Sequence, residues 1–154
     1  AVSTFLSQNY GACKLERIHD GYHKGVMVSI LYGVFACVVM VFFGRILSMM
    51  FVSANESQVL NASALYLRRM GYFYPVLGIL ITTRMSVQGL GYSARAMLAG
   101  FVEMIARCIV ALCFVPVFKF NAITWADQTA WVAATLVLIP LWISAMRTVQ
   151  KKMS

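Results

Sequence analysis

Charge is what this sequence has least of. Lysine, arginine, aspartate and glutamate make up only 12% of its 154 residues. A soluble domain of this length needs a charged outer layer, and so few charged side chains do not supply one. Also missing are a glycine loop that could cradle phosphate, a nucleophile elbow and a pair of neighbouring carboxylates. No catalytic residue is therefore assigned, and the chain reads as a non-enzyme that needs no cofactor. Of the four cysteines, Cys37, Cys108 and Cys113 fall inside apolar runs and Cys13 in a polar segment, with neither disulfide nor metal spacing. His19 and His23 stand four apart without a third ligand, so no metal site is expected. The apolar opening, Ala1 to Leu6, lacks the basic flank and the cleavage site of a signal peptide. It reads as a cut helix end, and the chain is expected to be a piece of a longer protein.

What is abundant is apolar surface. Hydrophobic residues reach 61% and the mean hydropathy is +0.78, which makes a lipid bilayer the expected partner. The net charge is +8, yet the cations lie between apolar runs and not on one interleaved face. That placement follows membrane topology and argues against nucleic acid. The fold class expected is all-α: a polytopic membrane bundle of about four transmembrane helices plus the end of a preceding one.

The spans are expected near 22–52, 62–90, 94–118 and 125–148. Lys24 and Arg45 bracket twenty uncharged residues, Gly25 to Gly44, enough at about 1.5 Å each to cross a core of roughly 30 Å. The second apolar run, from Met70, is short and extends back through Tyr66 and forward to Gly89. The third, between Arg95 and Lys119, carries Glu103 and Arg107 inside it. The fourth runs from Gln128 to Met146 and ends in the basic tail Arg147 to Lys152. Connections at Ser53 to Ser57, Gly89 to Ser93 and Phe120 to Thr124 are short, so consecutive helices should be antiparallel neighbours. Lys14 to Lys24 reads as an amphipathic surface helix. Lys14, Arg17, Lys24, Arg84, Arg95, Arg147, Lys151 and Lys152 fall on one side, and Arg45, Arg68, Arg69 and Lys119 on the other. The richer side is expected in the cytosol, with the C-terminus inside and the Asn55 and Asn121 loops outside.

Glu103 requires an explanation, because a carboxylate at a helix centre costs about 2.5–3.5 kcal/mol on insertion scales. Arg107, one turn on, is its expected partner. The pair is either a coupling or gating group or an ion pair that only fixes packing. Pro75 sits inside the second span, where its ring meets the carbonyl of Gly71, and Pro140 sits inside the fourth. Kinks are expected at both, as hinges or as static bends. Tyr72 and Tyr74 beside Pro75 either line a cavity for an aromatic or cationic substrate or belong to the interfacial belt.

Several motifs then fall in a familiar order. Gln8-Asn9-Tyr10-Gly11-Ala12-Cys13 resembles the Gln-x-x-Gly-Ala-Gly segment of the multidrug and toxic compound extrusion family, with Cys13 where the second glycine is usual. Arg45 to Phe51 is similar to the family's run before an outer loop, and Ala64-Leu65-Tyr66-Leu67-Arg68 to its Ala-x-x-Tyr-Leu-Arg. Gln88-Gly89-Leu90-Gly91 resembles the inner-loop Gln-Gly-x-Gly, and Gly100 to Arg107 a Gly-x-x-Glu-x-x-x-Arg segment.

The resemblance implies part of the C-terminal six-helix lobe of a twelve-helix transporter. Its other partners would be the missing N-terminal lobe and small organic cationic or aromatic substrates, expelled across the plasma membrane on a Na+ or H+ gradient. The acidic cation ligand that some members carry in the span matching 62–90 has no counterpart here. Any coupling acid is then Glu103 or lies outside this chain. The alternatives are a flippase for lipid-linked saccharides in the same superfamily, and a non-transporting membrane scaffold. Small four-helix exporters need an acid in their first helix, and the first span has none. A cavity beside Glu103 favours transport; a dry, fully paired contact favours a scaffold.

Overall fold

The computed structural model describes residues 1–51 and 56–153, and they form a helical bundle. Helix α1 covers Val2–Gly11, α2 Leu15–Met49, α3 Ser57–Tyr72 and α4 Tyr74–Gly89. Helix α5 covers Ser93–Ile109 and passes through a π-turn, Val110–Phe114, into the short α6, Val115–Phe118; α7 covers Phe120–Met153. By length and composition α2, the α5–α6 run and α7 can each cross a membrane. The loop expected at Ser53 to Ser57 lies, as far as Asn55, outside the described residues.

Four features differ from the sequence expectation. Lys14 to Lys24 is not a separate surface helix, because α2 begins at Leu15 and runs on without interruption. Its first turns are tied by a Lys24–Asp20 ion pair of 2.7 Å, one turn apart. At Pro75 the kink is a full break: α3 stops at Tyr72, Phe73 leaves helical geometry (φ −101°, ψ 3°), and α4 restarts with proline in its first turn. A ring that has no N–H and clashes backwards is accommodated without loss in a first turn, where no intrahelical partner is needed. Within the third span, the π-turn ends two residues before Pro116, which cannot donate to the carbonyl of Leu112. Finally, Phe120 to Thr124 is helix rather than loop. The whole reversal falls on Lys119, at φ 48°. Pro140, by contrast, lies within continuous α7.

Broken though they are, α3 and α4 act as one antiparallel partner of α2. Contacts step along both: Gly44 faces Leu67, Met40 and Cys37 face Gly71, Gly33 faces Pro75, and Ser29 faces Gly78. A Cβ on Gly33 would stand 2.7 Å from the Cα of Pro75, and one on Gly78 would stand 2.8 Å from the Ser29 carbonyl oxygen. Backbone sets both limits, so nothing can swing aside. In lipid, helix association depends on such close approach, since apolar side chains gain little by leaving hydrocarbon. Hydroxyls add to the seam: Tyr22 meets Thr83 at 3.1 Å across the two helices, and Ser29 bonds Thr82.

The core lies at the end of the bundle where α1, the start of α2, the end of α4 and the end of α7 converge. Leu6, Ile18, Leu80, Val87, Leu138 and Val149 are fully enclosed there. Trp142 stacks on Tyr22 with ring centroids 4.2 Å apart. Much of α2 and α5 instead turns large apolar side chains outward, Phe42 and Met97 among them, as does Leu112 of the π-turn. An apolar exterior around a helical bundle suits a hydrocarbon solvent. The molecule is an integral membrane protein.

Candidate functional site: two ion pairs around a broken helix

Glu103 does not pair with Arg107. Its Oε2 lies 3.1 Å from Arg84 Nη2 of α4, while Arg107 Nε donates to Asp127 Oδ1 of α7 at 2.9 Å. The reason is a count of charges. One contact within a turn of α5 would strand Arg84 and Asp127, each without a counter-ion among apolar helices. Two cross-helix contacts give each of the four charges a counter-ion and tie three helices together, although the buried Arg84 Nε and Nη2 make no hydrogen bond. Tyr66 of α3 completes the second set by donating its hydroxyl to Asp127 Oδ2 at 2.9 Å. Asp127 escapes a reading of the sequence because it flanks an uncharged run and resembles a span boundary. Arg84 resembles a helix end in the same way.

The two pairs sit at different depths. Arg84 is five residues from the end of α4 and Arg107 lies on the later half of α5, so one pair is near the Gly91 turn and the other toward the Lys119 turn. The Arg84–Glu103 pair is the more enclosed, with side chains 24% and 13% exposed. Arg84 also lines a cavity of roughly 350 Å³ with Gln88, Ala96, Met97, Gly100 and Phe101. Gln88 of the inner-loop motif thus shares a wall with Arg84, the basic member of the ion pair. No atom comes within 4 Å of a Cβ placed on Gly100, which leaves that wall open.

Two motif turns prove to be the same capping device. At the end of α1 the Lys14 N–H bonds the Asn9 carbonyl at 2.9 Å and the Cys13 N–H bonds that of Tyr10 at 3.1 Å. At the end of α4 the Tyr92 N–H bonds Val87 at 3.1 Å and the Gly91 N–H bonds Gln88 at 2.9 Å. Both are Schellman caps, whose first residue beyond the helix must be left-handed. Gly91 has φ 86° and Cys13 φ 53°. Glycine suits this geometry and cysteine does not. Gly89 serves close approach instead, since a Cβ there would lie 2.6 Å from the Ser3 carbonyl oxygen of α1.

Tyr72 and Tyr74 are not brought together. Tyr72 is 57% exposed. Tyr74 lies edge-on to Trp131, at 6.3 Å between ring centroids, and lines a cavity of roughly 380 Å³ along the α2–α4 seam with Tyr32, Ser29, Gly33 and Gly78. Tyr32 does not stand out in the sequence, where it is one aromatic among many in the first span. Gly71 is buried against α2 and Pro75 forms the break. On α7, Gln128 is 1% exposed and neither of its amide atoms has a hydrogen-bond partner among the described residues. Among those residues no group of three or more His, Cys, Asp or Glu side chains could hold a metal.

Of the comparisons with known proteins, one gives a match. No curated protein and no solved structure matches the chain. The MatE family model matches residues 1–113, from α1 through most of the π-turn, and so takes in both Schellman caps, the broken helix and the Arg84–Glu103 pair. On that match the chain belongs to the MatE family of membrane transporters, the multidrug and toxic compound extrusion group its motifs resemble.

Proposed function

We propose that the chain forms part of a cation-coupled antiporter that expels organic cations, and that Glu103 is its coupling or gating group. The observation that carries this is the cavity beside the Arg84–Glu103 pair, lined by Arg84 and Gln88. A scaffold would gain nothing from leaving space next to an intramembrane ion pair, since a dry contact holds helices better. Breaking the pair, by cation or proton uptake at Glu103, frees α4 from α5. Helix α4 is the half of the broken helix that can then move about Phe73 and Pro75 as a hinge. The tyrosine-lined cavity on the α2–α4 seam, with Tyr32 and Tyr74, suits a flat cation through ring-face contacts. The excess of Lys and Arg on the Gly91 side favours the cytosol for that face and for the C-terminus, in a plasma membrane. Labelling of a cysteine placed at Ser93 from outside intact cells would overturn that orientation.

Glu103→Gln tests the assignment. It keeps the size of the side chain and removes its charge, and it should abolish gradient-driven dye efflux while leaving protein in the membrane. Unchanged efflux would remove Glu103 from the mechanism.

A further inference from the structure

We propose that the cavity around Arg69 is a binding site for an acidic phospholipid, separate from the route of any cationic substrate. The cavity measures roughly 550 Å³ and is lined by Arg69 of α3, by Val110, Phe114 and Phe118 of the π-turn and α6, and by residues of the first turns of α7 including Trp125 and Thr129. Its walls are mostly apolar; the polar side chains on them are Arg69, Asn121 and Thr129, and only Arg69 is charged.

That guanidinium has no carboxylate to neutralise it among the described residues. Of the five acidic residues, Asp20, Glu103 and Asp127 are engaged by Lys24, Arg84 and Arg107. Glu56 lies thirteen residues away along the α3 side, about 20 Å at helical rise, and Glu16 stands at the start of α2. Arg69 is instead held by neutral groups. Its Nη1 donates to Asn121 Oδ1 at 3.0 Å and to the Thr124 hydroxyl, and its guanidinium carbon sits 5.6 Å from the Trp125 ring centroid. These contacts orient the fork without cancelling its charge, which leaves donors for an anion.

The apolar walls decide between an amphiphile and a bare anion. Phe114 and Phe118 are 48% and 58% exposed, on a helical run whose most apolar stretch buries nothing inside the bundle. The cavity therefore faces the bilayer, and an acyl chain entering between those rings places a phosphate at Arg69. An organic cation is repelled by the same charge.

The test uses this chain in phosphatidylcholine vesicles, with brominated phosphatidylglycerol or brominated phosphatidylcholine as quencher of tryptophan fluorescence. Trp125 is 42% exposed, whereas Trp131 and Trp142 are 5% and 6%, so quenching reports chiefly on Trp125, which lines this cavity and a second one with Phe73; the Arg69 variants distinguish the two. The expected result is half-quenching by the acidic lipid at about a tenfold lower mole fraction, the effect of one well-placed charge-assisted bond. Arg69→Lys should keep most of that preference and Arg69→Gln should remove it. Thr129→Phe provides a second variant that fills the cavity from an exposed position. The Thr129 hydroxyl bonds only carbonyls of its own helix, so the change costs no tertiary hydrogen bond, and it too should remove the preference. Equal quenching by both lipids in the unaltered chain, or a preference that survives both Arg69→Gln and Thr129→Phe, would overturn the proposal. Competition by soluble glycerol phosphate as strong as that by the lipid would also overturn it, by showing that the acyl chain is not used.

Discussion

Replacing Cys13 with glycine should stabilise the protein. Cys13 holds the left-handed position of the α1 cap at φ 53° and is exposed and free, so its side chain contributes little packing to lose. A non-glycine residue there costs about 1–2 kcal/mol in backbone sterics. Glycine relieves that cost but gives the unfolded chain more freedom, worth about 0.4–1 kcal/mol against it. The difference leaves a net gain of about 0.5–1 kcal/mol, or roughly 1–4 °C in the unfolding midpoint for a chain of this size. Cys13→Ala supplies the control. Alanine removes the sulfur and keeps the strain, so it should leave the midpoint where it is. Gly91→Ala supplies the converse, since Gly91 has φ 86° and only open space where a Cβ would stand; it should lose about 1 kcal/mol. Thermal unfolding of the detergent-solubilised protein, followed by circular dichroism, reads all three. If Cys13→Gly and Cys13→Ala behave alike, the strain argument is wrong.

Three further outcomes follow from the packing. A double-mutant cycle between Arg84 and Glu103 should give a coupling of about 1–3 kcal/mol in unfolding stability, and one between Glu103 and Arg107 under about 0.5 kcal/mol; the reverse order would restore the pairing expected from sequence. Gly33→Ala should cost more than about 3 kcal/mol or prevent folding, because its Cβ meets the Pro75 backbone at 2.7 Å. Gly100→Ala, with open space around it, should stay within about 1 kcal/mol; expression and gel-filtration profiles check both. Gln128→Leu should raise stability by about 1 kcal/mol, since it removes a buried amide without a partner, and a loss of that size in unfolding stability would show that the amide is satisfied.

Much of the architecture is legible in the sequence because it depends on local quantities. The length of uncharged runs sets the helices, and Pro75 marks the break through the clash of its own ring. What stays hidden depends on which helix faces which. Sequence spacing makes Glu103 and Arg107 neighbours on one helix, but the Arg84–Glu103 and Arg107–Asp127 contacts cross between helices, and no period along the chain reports them. The same holds for Tyr32, which joins Tyr74 in one cavity only across the α2–α4 seam. The Phe120 to Thr124 segment looks like a loop because two antiparallel spans need a connection. That the reversal contracts onto Lys119 with φ 48° is a strained solution that residue identity does not suggest. Cys13 is a different case: it stands where the resembled motif has its second glycine, and the backbone there is left-handed, which the sequence reading does not anticipate.

The most direct measurement is efflux of a fluorescent cationic dye from cells making the full-length protein, with the sodium and proton gradients collapsed separately. Antiport requires efflux that stops when one gradient is removed and persists when the other is. Dye retention that is the same with both gradients intact and with both collapsed would contradict drug antiport and favour a lipid-linked substrate or a role without transport.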